Sequence, residues 1–156
     1  MYIFKDTEFT TALQKEKAFK RFVKVIEKRD INLIDKNLYN HLHLHCGFIA
    51  HYSIHGFKAE YESVNDFTRF AEHFVTYPWI VGCGDRSYDD INTEMVETVK
   101  KHYHQILFEQ QNHQKSVEIT ILKELAHKHG FDVDQLNKES EDFLLFDESG
   151  QGKLAI

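Results

Sequence analysis

Apolar residues recur at intervals of three and four through most of the chain, and that spacing predicts helices. With Thr10 or Thr11 as a cap, Leu13, Phe19, Phe22, Val23 and Ile26 line one side of a helix running to about Lys28. Lys15, Lys17, Lys20, Arg21 and Lys24 mark its wet side. Asp30 to Asp35 reads as a connection, and a second helix begins near Asp35 or Asn37. From Leu38 to Ile54 the apolar positions surround the helix rather than line it, the pattern of a central, buried helix. The alternative is a β-hairpin over residues 48–62, because Phe57 to Glu62 alternates apolar and polar after His55-Gly56.

Ser63 caps a short helix carrying Phe67, Phe70, Ala71 and Phe74, which Tyr77-Pro78 halts. Trp79 to Arg86 is a glycine-rich bend between the two halves, and Ser87 with Asp90 resembles a cap for the next helix. No Gly or Pro interrupts Tyr88 to His129. Ile91, Met95, Val99, Tyr103 and Ile106 or Leu107 form one stripe, and Val117, Ile121, Leu122 and Leu125 another. The polar stretch Glu109 to Lys115 between them predicts a break between two antiparallel helices; a single helix of about 60 Å is the alternative. Gly130-Phe131 has the form of a helix C-cap with its apolar follower. A last short helix is expected over residues 133–146. The fold class is therefore mainly α: a single-domain bundle of five to six helices over residues 1–147, with a flexible tail at 148–156, or α+β if the hairpin forms.

Thirteen Phe, seven Tyr and one Trp among 156 residues are enough to fill a core and leave aromatic surface for a partner. Twenty-five acidic against nineteen basic residues give a formal charge of −6, which sets the chain against nucleic acid and anionic membranes. A basic protein is a better electrostatic match. Two cysteines, Cys46 and Cys83, are no disulfide framework. The N-terminus lacks the basic and apolar runs of a signal peptide, and no apolar stretch reaches membrane-spanning length, so a cytoplasmic address is expected.

Eleven histidines are the compositional feature with most chemical potential, and five lie between residues 41 and 55. On a helix, His41 and His45 share a face, as do His51 and His55, each pair spaced to bind one metal ion. Ten residues of helix hold the pairs about 15 Å apart, so each needs further ligands from a facing helix. Glu124 and His127 offer a Glu-x-x-His step for such a site. No His-Glu-x-x-His motif or pair of Cys-x-x-Cys knuckles is present. The plainer account makes these histidines half-buried polar edges beside aromatic rings.

Cys83, between Gly82 and Gly84, stands where a nucleophile is exposed on a tight turn, although a buried free thiol is the commoner use of such a residue. Val117 to Leu136 superficially resembles a helix-turn-helix, but its second half carries more acid than base and would be pushed from phosphates. Without a complete catalytic set, the sequence favours a non-enzymatic, acidic helical protein that binds another protein or itself. The alternative is a metal-binding bundle or metal-dependent enzyme using His41, His45, His51 and His55. An inhibitor that fills a nucleic-acid groove on its partner is a third reading. No cofactor is expected beyond a divalent transition metal under the alternative.

Overall fold

Short polar side chains that accept backbone N–H groups set the helix starts of this chain. The computed structural model describes residues 3–46, 53–76 and 86–131, the side chain of Asn65 excepted. Helix α1 spans Ala12–Lys28 and opens on Thr11, whose hydroxyl accepts from Gln14 N while the Gln14 side chain returns a bond to Thr11 N, a reciprocal cap. Helix α2, Lys36–His45, opens on Asp35, which accepts from Leu38 N at 2.9 Å. Helix α3, Ile54–Glu60, opens on Ser53, and α4, Val64–Thr76, opens where the Ser63 hydroxyl accepts from Asp66 N. Helix α5 runs from Asp89 to His129. Short 3₁₀ turns cover Ile31–Leu33 and Arg86–Tyr88.

The chain is thus mainly helical, with five α-helices and no strand among the described residues. By its internal packing it divides into two compact units, Met1–Asn112 and His113–Ile156. Among the described residues no helix is long and apolar enough to cross a membrane. The bend at 79–85 with Cys83, together with His51, residues 133–146 and the 148–156 tail, lies outside the described residues.

The core of the first unit is aromatic. Phe22 of α1 meets Phe70 and Phe74 of α4 at centroid distances of 6.4 and 5.1 Å, and Phe57 of α3 stands edge-on to Tyr39 of α2 and Phe70 of α4. Inclined rings of this kind place the positive edge of one against the negative face of the next. Ile26, Ile34, Leu38, Leu42, Ile91, Met95 and Val99 are fully buried beside them.

Four expectations change. The hairpin over 48–62 is replaced at its second strand by α3, where the Ser53 cap and the Phe57–Tyr61 pair, four residues apart, favour a helix over the two-residue alternation. The continuous helix over 38–55 is two helices: α2 stops with Cys46 as its C-cap, and α3 starts anew at Ile54. The break at 109–115 is absent, since Gln, Asn, His and Lys sustain a helix as readily as they fill a loop, and Gln105 bonds Glu109 one turn on. The division between units falls within that polar stretch. Lys15 turns inward instead of lying on the wet face, and Leu13 turns outward. Gly130, at φ +74°, ends α5 as expected, with Phe131 N donating to Ala126 O at 2.9 Å.

Candidate functional site

Lys15 is the residue around which the first unit's polar interior is organised. Its ammonium is wholly buried and donates to Ser87 O at 2.5 Å and Asp90 Oδ1 at 2.8 Å, so the charge enters with a carbonyl and a carboxylate as partners. Asp90 also accepts from the backbone N–H groups of Lys5 and Ile91. Burial pushes the Asp90 carboxyl up, but the Lys15 ammonium and those two N–H groups outweigh it and hold it below the ordinary value. Asp90 is therefore a tether for α1 and the N-terminal segment rather than part of a cap with Ser87.

Two residues along α5, the buried Asn92 reaches α2. Its Nδ2 donates to His45 O at 3.1 Å, and since a carbonyl only accepts, Oδ1 must face the other way. There it accepts from His41 Nε2 at 3.1 Å and Cys46 Sγ at 3.2 Å. His41 is thereby held as the neutral tautomer with its proton on Nε2. Burial lowers its pKa from 6.5 to about 4, against the opposing effect of the Asn92 bond. Burial also pushes the Cys46 thiol well above the ordinary range, leaving an inert, unpaired cysteine. A second carbonyl at the end of α2, that of Cys46, pairs with His73 Nε2 at 3.2 Å.

Of the four expected metal ligands, the structure brings His41 and His45 together, with ring centroids 5.1 Å apart. His45 lies flat on Tyr88 at 3.5 Å, and His41 meets the same ring edge-on. His55 is exposed near the start of α3, and His51 lies outside the described residues. Among the described residues no group of three or more His, Cys, Asp or Glu side chains is placed to hold a metal ion. His41 and His45 both pack on the Tyr88 ring, with the His41 Nε2 proton committed to Asn92. Lys15, Tyr88 and Asn92 were not marked by the sequence, where a helical lysine and asparagine read as wet positions.

Beside this cluster opens a cleft of about 490 Å³ between α1, α2 and the turn before α5. Lys15, Lys17 and Arg21 line it from α1, Asn37, Asn40 and His45 from α2, and Tyr88 from the turn before α5.

The second unit presents a different surface. Val117, Ile121 and Leu125, spaced four apart on α5, are 43%, 49% and 48% exposed, and Leu122 beside them is 61% exposed. Each turn of the helix thus offers water an apolar side chain on the same side.

Comparison of the chain with protein-family models, curated proteins and solved structures gives no match.

Proposed function

We propose that this chain is a non-enzymatic protein-binding module that uses the second unit's portion of α5 to dock an apolar helix of a partner protein. One observation carries the reading: the i, i+4, i+8 row of Val117, Ile121 and Leu125, widened by Leu122, is exposed. Exposed apolar residues scattered singly are ordinary, whereas a row at helical spacing is the ridge that a second helix packs against. Lys115 and Lys128 flank it against Glu118 and Glu124, charges of both signs in equal number, so affinity rests on apolar contact and changes little with salt. The formal charge of −6 favours a basic partner at the encounter stage.

The test places a photocrosslinking amino acid at position 121 of the full chain, and at position 116 on the opposite side, in the chain's native cells. The expectation is one recurrent adduct from position 121, joined through apolar residues of a helix in the captured protein and lost in Leu122→Asp. Equal adducts from both positions, or adducts only to a second copy of the chain, would overturn the reading.

A further inference from the structure

Independently of the α5 surface, we propose that the cleft between α1 and α2 binds a small organic anion carrying one carboxylate group on a flat, apolar body. Its size of about 490 Å³ lies within the roughly 300–1,000 Å³ of small-molecule sites. Its charge is the telling feature. Although the chain has 25 acidic residues, none of those described lines the cleft, whereas three cations do.

Those cations differ in what they have left to offer. Lys15 is saturated by Ser87 and Asp90 and contributes through the cleft wall. Arg21 engages Asp35 through Nη1, and a guanidinium has five N–H donors, so most remain available. Lys17 is exposed and makes no ion pair or hydrogen bond among the described residues. The same holds for the side-chain amides of Asn37 and Asn40 across the opening. A carboxylate at this end would meet an unengaged ammonium, the free edge of a guanidinium and two amide groups, the donor set that planar anions select.

The other end is built for a ring. The half-buried His45 ring lines this end and is backed face to face by Tyr88, parallel within 14° at 3.5 Å, and the Tyr88 hydroxyl is fixed by Thr10 Oγ1 at 2.6 Å, so the ring is held in place. Phe9 and Leu44 stand exposed at the opening, where they cost apolar hydration unless something covers them. Lys17 and Arg21 further along α1, with the exposed Phe9 before its start and Leu44 at the end of α2, describe one amphipathic ligand.

The experiment titrates the full-length, ¹⁵N-labelled chain with 2-naphthoate, its neutral counterpart 2-naphthylmethanol, and inorganic phosphate. The expected result is saturable binding of 2-naphthoate with shifts confined to signals of residues 9–21, 37–45 and 88. Binding of the neutral alcohol and of phosphate should each be at least tenfold weaker. The variant pair Lys17→Gln/Arg21→Gln should lose about tenfold in naphthoate affinity while keeping the alcohol's. Both side chains are half-exposed or exposed, so the fold tolerates the change, which the unshifted remainder of the spectrum checks. Equal affinity for acid and alcohol, phosphate binding as tightly as naphthoate, or no binding of naphthoate below 10 mM, on the order expected of the weakest specific ligands, would each overturn the proposal.

Discussion

Acidification should destabilise this protein through His41 before its carboxylates are reached. The ring titrates at about 4 in the folded chain against 6.5 when free, chiefly because burial disfavours the charged imidazolium. As pH falls the unfolded chain takes up this proton first, so the contribution is complete above about pH 6.5 and is lost as pH drops towards 4. The gap corresponds to about 3 kcal/mol, of which about 2 kcal/mol is gone by pH 5. His45, Lys15 and Asp90 face the ring and set its local field, the first two opposing and the last favouring protonation. His41→Gln keeps an N–H for Asn92 Oδ1 but does not titrate. Urea unfolding of both proteins at pH 7 and pH 5 isolates the effect, because His73, also lowered by burial, is common to the two and cancels. Wild type should lose about 2 kcal/mol more than the variant between the two pH values. Equal losses would show that the His41 ring accepts a proton in the folded chain as freely as in water, contrary to its burial and its tie to Asn92.

Other substitutions probe the same interior. Asn92→Leu removes the partner of His41 Nε2, Cys46 Sγ and His45 O together, and should destabilise by about 2–4 kcal/mol in chemical denaturation, with an increased rate of Cys46 alkylation. Phe70→Ala empties the meeting point of the rings of Phe22, Phe57, Tyr61 and Phe74 and should cost about 3–5 kcal/mol by the same measurement. Thr11→Ala breaks the reciprocal cap of α1 and should cost about 1 kcal/mol, with early hydrogen exchange at the N–H of Gln14.

Three element starts were legible in the sequence through their caps, since Thr11, Asp35 and Ser63 each stand where the structure begins a helix, whereas the Ser53 cap of α3 was masked by the apolar run before it. The stop at Gly130 was legible for the same reason, a local backbone requirement met by a single residue type. Periodicity located the buried faces of α1 and α4 but misassigned Lys15 and Leu13, because which residues of a stripe turn inward depends on partners far away, here Ser87 and Asp90. Polarity at 109–115 suggests a break, yet Glu, Gln and Lys lose little rotamer freedom in a helix, and α5 runs through them. The histidine spacing within α2 did bring two imidazoles side by side. That they stack on Tyr88 and bond Asn92 could not be read from spacing, since both partners lie more than forty residues away.

The three bonds of Asn92 have a further consequence for how α2 sits on α5. Aliphatic surfaces tolerate sliding: shifting one helix along another by a single residue, about 1.5 Å, exchanges one set of methyl contacts for another at small penalty. The amide allows no such exchange, because the same step would strand a buried ring N–H, a thiol and a carbonyl at once. One polar side chain in a greasy seam thus selects a single alignment of the two helices, turning what would be a family of near-equal packings into one.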